Sequence, residues 1–216
     1  LVHYYKLAMQ ENNFINSALK VIQIEGKAIL GLQEQIEETF NDLCSNILAT
    51  KGKLILMGIG KSGHIAQKIS ATLSSTGTPS FFIHPTEAAH GDLGMIDKKD
   101  AILILSNSGE TKEIIEILPA LKRCAGSIFT LTNNADSTIA KIGDIHILIK
   151  VNEEACPLDL APTSSTTLAL VFGDALAISL LEHRGFTKDD FAKSHPAGQL
   201  GKKLTTLVKD IAIMDN

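Results

Sequence analysis

Residues 103–118 read LILSNSGETKEIIEIL. Leu103, Ile104 and Leu105 show no polar alternation, as expected of a strand buried on both faces. The run breaks into Ser106, Asn107, Ser108 and Gly109, and apolar residues return at helical spacing at Ile114, Ile115 and Leu118. A buried strand, a hydroxyl-rich turn and a helix, in that order, form the repeating unit of a parallel sheet. Outward from this stretch the unit recurs. KLILMGIG (53–60) precedes helix-spaced Ile65, Ile69 and Leu73, with a glycine stop at Gly77. SFFIH (80–84), AILILS (101–106, with a helix over 110–123), SIFTLT (127–132, with a short helix from near Asp136) and IHILIK (145–150) read as the other strands. The expectation is an α/β fold, a doubly wound, mainly five-stranded parallel sheet flanked by helices.

Around this sheet lie two further regions. Residues 11–48 carry Ile15, Leu19, Ile22, Ile29, Leu32, Ile36, Phe40, Leu43 and Ile47 at spacings of threes and fours, which predicts a helical arm of two helices broken near Gly31. After the last strand, residues 151–163 with Pro157 and Pro162 read as a loop into a long helix over 164–184. The Gly- and Pro-punctuated stretch 186–204 is expected to wrap the surface. The boundaries expected are an arm at 1–50, a domain at 51–204, and a tail or linker start at 205–216.

The 216 residues are 44% hydrophobic and 20% charged, enough to bury a core and unlike a disordered chain. The net charge of −4, without a Lys/Arg cluster, gives no electrostatic footprint for nucleic acid or an acidic membrane. Cys44, Cys124 and Cys156 are odd in number and widely spaced, which argues against a disulfide framework and for a reducing, cytoplasmic setting. The first residues lack both a basic start and an uninterrupted apolar run, and so do not read as a signal peptide; the missing initiator Met reads as trimming. The apolar run 168–181 is too short to cross a bilayer and carries Asp174, so it reads as a core helix.

In an open parallel sheet, ligands collect outside the carboxyl ends of the strands. Two segments there suit an anion. Gly58, Gly60, Lys61, Ser62 and Gly63 offer close backbone approach, free amides and one ammonium, although a tight turn without ligand needs glycines too. Ser106 to Thr111 offers hydroxyls at another helix start. N-capping by Ser108 accounts for one hydroxyl and leaves Ser106 and Thr111 without a role. The series Glu110, Glu113, Glu116 is by itself what a solvated helix face shows.

SNSGET (106–111) after an aliphatic strand, with APTSSTT (161–167) opening a later helix, resembles the sugar isomerase (SIS) domain family. The longer strings at 58–96, 154–177 and 185–204 are similar to the D-arabinose 5-phosphate isomerases that feed Kdo and lipopolysaccharide synthesis in Gram-negative bacteria. That resemblance covers residues 54–204 and implies interconversion of ribulose 5-phosphate and arabinose 5-phosphate through an enediol, with no cofactor required. It implies catalytic roles for Lys61, Glu113, Glu154 and His195, with Glu113 favoured as the base and Glu154 as helper or alternative. The substrate site would include Ser62, Gly77, Thr78, His84, His90, Ser106, Asn107, Ser108, Thr111 and Ser165. His84 can take up an inhibitory divalent metal such as zinc, which catalysis does not need. The resemblance further implies a homotetramer in which His195 completes a neighbour's site. Similar enzymes continue into a CBS-domain pair, whereas this sequence ends at Asn216, where that module would begin. Two other readings stay open: a phosphosugar-sensing module without turnover, and an SIS isomerase for another sugar phosphate.

Overall fold

The computed structural model describes residues 2–195, with side chains from residue 14 onward. Five strands, β1 (Leu54–Met57), β2 (Ser80–Phe82), β3 (Ala101–Leu105), β4 (Ser127–Thr132) and β5 (Ile145–Leu148), form one sheet in the order β2-β1-β3-β4-β5. Every neighbouring pair is parallel. Eight α-helices accompany them among the described residues: α1 (Val2–Leu32), α2 (Glu38–Ala49), α3 (Gly60–Ser75), α4 (Pro85–Ala89), α5 (Lys112–Cys124), α6 (Thr138–Ile142), α7 (Ser164–His183) and α8 (Lys188–Ser194).

The unbroken aliphatic strands arise because both faces are covered. Along β1, Leu54 and Leu56 enter one core while Ile55 and Met57 enter the other. On β3, Leu103 and Leu105 join the first and Ile102 and Ile104 the second. The first core is closed by α2, α3 and α7 through residues such as Leu43, Ile69, Phe172 and Leu176. The second is closed by α5 and α6 through Ile114, Leu118, Leu121 and Ile139. Each such side chain, fully buried, contributes about 1.5–3 kcal/mol. By length and composition α7 could cross a bilayer, but nine of its residues are buried and it packs in this core, with Asp174 paired to Lys68 of α3.

The arm breaks as expected, through a 3₁₀ turn at Gln33–Gln35, and Glu25 of α1 accepts from the Thr167 hydroxyl of α7 at 3.0 Å. Between β2 and β3 the chain forms α4, for which His84 and Pro85 supply an N-cap and a helix-compatible first residue, and a 3₁₀ turn, Asp92–Met95. Two local expectations are corrected. Residues 188–194 are helical, closed by a capping box between Thr187 and Asp190. Helix α5 starts at Lys112, after Thr111, and Ser108 does not cap it. Residues 196–204 and the tail 205–216 lie outside the described residues.

Candidate functional site

The order 2-1-3-4-5 reverses direction between β1 and β3: from β1 the chain moves outward to β2, and from β3 to β4 and β5. The helices after β1 and β3 therefore leave on opposite faces, which opens a crevice at the carboxyl ends of these two strands. Both candidate anion turns border it.

After β1 the glycines have a packing reason. Gly60 takes φ +58°, and a Cβ on Gly63 would come within 2.7 Å of the Gly58 carbonyl oxygen. The turn so formed leaves Ser62 half-buried and Lys61 exposed at the start of α3. After β3, Ser106 is buried and its Oγ accepts from Gly109 N at 3.1 Å. Ser106 Oγ and Thr111 Oγ1 lie 2.8 Å apart. With one lone pair taken by Gly109, Ser106 can donate to Thr111, leaving the Thr111 proton for a ligand. Ser108 Oγ accepts from Glu110 N at 3.2 Å. Ser106 and Thr111 thus have an internal role that capping alone does not supply. The turn is further tied by Asn133 N to Asn107 O (2.9 Å) and Ile139 N to Gly109 O (3.0 Å), while Glu110 accepts from Thr138 N at 2.7 Å and so caps α6.

Opposite this turn stands the N-terminus of α7. Ser165 is buried, lines a cleft shared with Ser62, Ser106, Asn107 and Thr166, and its hydroxyl has no hydrogen-bond partner. An unsatisfied buried hydroxyl costs about 1–3 kcal/mol, so an acceptor entering the cleft recovers that cost. An anion would also meet the positive ends of α5 and α7.

Glu154 borders the continuation of this cleft, alongside Asn107 and Asn133. Its Oε2 accepts from Thr163 N (2.7 Å), Thr163 Oγ1 (2.9 Å) and Ser165 N (3.3 Å). Burial pushes its pKa up, but the nearby Ser165 hydroxyl, outside hydrogen-bond geometry, and the Thr163 and Ser165 donors outweigh this and hold the carboxyl below the usual range. The loop is fixed from the other side by Val151 N donating to Asn133 Oδ1 at 3.1 Å.

Glu113 is exposed in the first turn of α5. His84 follows β2 at the same edge of the sheet, with Nδ1 accepting from Thr86 N at 3.3 Å, and His90 is exposed at the end of α4. No group of three or more His, Cys, Asp or Glu suited to a metal occurs among the described residues.

Three expected residues lie elsewhere in the chain. Gly77 and Thr78 precede β2, at the amino edge of the sheet; Gly77 lies against the Phe186 ring, and Thr78 accepts from Arg184 Nε at 3.3 Å. His195 ends α8, stacked on Phe191 at 3.9 Å. The twenty residues of α7, about 30 Å of helix, run from the cleft to that far edge. Within one chain, then, Gly77, Thr78 and His195 lie away from the crevice; for His195 the expectation is a neighbour's site. Thr163 and Asn133, which shape the cleft, were absent from the expected set; their only sequence signal is a hydroxyl just before a helix start and an amide just after a strand.

A crevice of hydroxyls and helix N-termini at this switch point defines an anion-binding class of α/β domain, and residues 47–179 match the SIS domain: this chain belongs to the SIS family. Among its relatives, it is 52% identical over 202 residues to arabinose 5-phosphate isomerase KdsD of Pseudomonas aeruginosa, covering 94% of this chain and 62% of that protein. It is 50% identical over 199 residues to arabinose 5-phosphate isomerase KdsD of Escherichia coli K12, covering 92% and 61%. The chain spans about three fifths of the length of these curated relatives. A solved structure of c3406 from E. coli CFT073 in complex with arabinose 5-phosphate superposes with a TM-score of 0.83 at 42% identity, covering 86% of this chain and 98% of that one.

Proposed function

We propose that this chain is an aldose–ketose isomerase that interconverts D-ribulose 5-phosphate and D-arabinose 5-phosphate, in the supply of Kdo for lipopolysaccharide. The observation that carries this reading is the buried, unpartnered Ser165 hydroxyl in the cleft that Ser62, Ser106 and Asn107 also line, a cradle suited to a phosphate, with the Glu154 carboxylate along its continuation. The names of the relatives and the arabinose 5-phosphate held by the E. coli neighbour support the same substrate.

Removal of the C2 proton from the aldose sends its electron pair into the C1–C2 bond as the carbonyl oxygen takes up a proton, giving the enediol. Protonation at C1 and loss of the C2 hydroxyl proton give the ketose. Glu113, with no hydrogen bond to its carboxylate among the described residues, is the base; Glu154, whose Oε2 is saturated by donors, is the weaker base and serves as helper. Lys61 offsets developing negative charge, and His195 serves ring opening and oxygen protonation. Because His195 sits beyond the far end of α7, it reaches a site only across a contact between copies, and the assembly proposed is a homotetramer in the cytoplasm. Gly77 and Thr78 reach a site the same way. No cofactor is required, and zinc at His84 would inhibit.

Incubation with ribulose 5-phosphate in D₂O, followed by proton NMR, tests the reading. Expected are arabinose 5-phosphate and deuterium at its C2; neither product nor uptake would leave a sensing module as the function.

A further inference from the structure

Helix α7 is capped in an unusual way. Thr163 occupies its N-cap position, yet the Thr163 hydroxyl does not bond its own helix. It accepts from Ala155 N at 2.8 Å and donates to Glu154 Oε2 at 2.9 Å. The amides of Thr163 and Ser165 turn to the same oxygen, at 2.7 and 3.3 Å. Glu154, nine residues upstream, is therefore the acceptor that caps α7, and Thr163 is the clamp that brings it there. No hydrogen bond among the described residues reaches Oε1, and the carboxylate borders the cleft with Asn107.

From this we infer that Thr163 is a positioning residue of the isomerase, fixing Glu154 as an ionised carboxylate with one oxygen committed to α7 and the other turned to substrate. The inference rests on the isomerase reading for its catalytic consequence, though not for the clamp itself. Three donors on one oxygen favour the charged form strongly, and a carboxylate anchored to a 20-residue helix can move little as the sugar reacts. The other ionisable groups around Glu154 are Glu153, Cys156 and Asp159 of its own loop and Lys20 of α1, with Glu25 of α1 nearby on Thr167. Burial opposes the charged form of Glu154, and the donors from Thr163 and Ser165 act against it.

The test compares Thr163→Val, which removes the hydroxyl and keeps the shape, with Thr163→Ser, which restores it. The Glu154 carboxyl is followed by ¹³C NMR titration, assigned by its loss in Glu154→Gln, and kcat and KM are measured across pH with arabinose 5-phosphate. In Thr163→Val the titration midpoint is expected to move up, and the acid limb of kcat with it. In that variant kcat should fall on the order of 10- to 100-fold, with KM changed far less. Thr163→Ser should return all three toward the parent values. An unmoved titration midpoint in folded Thr163→Val overturns the clamp, and so does failure of Thr163→Ser to restore it. A moved midpoint with an unmoved acid limb overturns the catalytic role. If the parent protein does not turn over, the isomerase reading fails, and the titration still decides whether Thr163 holds Glu154 ionised.

Discussion

Gly173 of α7 lies so close to Ile69 of α3 that a Cβ at position 173 would stand 2.3 Å from Ile69 Cγ1. Both residues are buried in the core that closes one face of the sheet. Alanine at 173 would gain about 1 kcal/mol in helix propensity, but overpacking this contact costs about 1–3 kcal/mol. The second effect prevails because the added carbon would meet three carbons of the buried, β-branched Ile69 side chain within 3.0 Å, Cγ1, Cδ1 and Cγ2. Gly173→Ala should therefore lower the denaturation midpoint in urea, and an unchanged or raised midpoint would show that the helices can separate freely.

Gly109 has φ +69°, and a Cβ there would meet Ser137 Oγ at 2.0 Å. Its amide also holds Ser106 Oγ in the anion turn. Strain at a left-handed position alone costs roughly 1–2 kcal/mol, and the clash adds to it. Gly109→Ala is expected to lose at least this much stability and to raise KM for the sugar phosphate; calorimetry together with initial-rate kinetics checks both.

Glu154 supplies a pH signature. Its folded-state pKa is depressed, so the unfolded chain binds the proton more tightly. The stabilisation is complete above the unfolded value of about 4.3 and is lost as pH falls through the folded value. Glu154→Ala, which removes the cap on α7, should cost about 1 kcal/mol at neutral pH. Thermal melts of both proteins should converge once pH has fallen through the folded value, and curves that stay parallel to the lowest pH would contradict the cap.

Two of the three thiols should react in a fixed order. Burial pushes Cys44 up to about 11. Amides of Ala161, Leu160, Leu158 and Asp159 lower Cys156 despite a small opposing burial effect. Timed alkylation of the folded protein at pH 7.5, read by peptide mass spectrometry, should modify Cys156 well before Cys44.

If His195 acts in a neighbour's site, mixed oligomers of His195→Ala and Glu113→Ala protein should regain part of the activity that each lacks alone. Some hybrid sites then carry both intact groups. Verified mixed oligomers without any recovery would count against action of His195 in a neighbour's site.

The amino-acid sequence by itself determined the parallel sheet, because a strand covered on both faces must be aliphatic at every position, as in Leu54–Met57 and Ala101–Leu105. It also determined the serine turn, since hydroxyls following such a strand fall at a helix start. Even the far position of Gly77 was legible in principle: a glycine that stops the helix after β1 stands before the next strand, on the amino edge. What only the tertiary structure decided were relationships between segments distant along the chain. Glu154 caps a helix that begins ten residues later, Glu110 caps α6 across 28 residues, and Asn133 holds the loop at Val151. The physical reason is that periodicity reports which face of an element is buried, whereas a side-chain hydrogen bond depends on where two elements meet. That meeting is set by packing of the whole core, and it is why Glu154 lines the crevice while His195, carried off by the length of α7, does not.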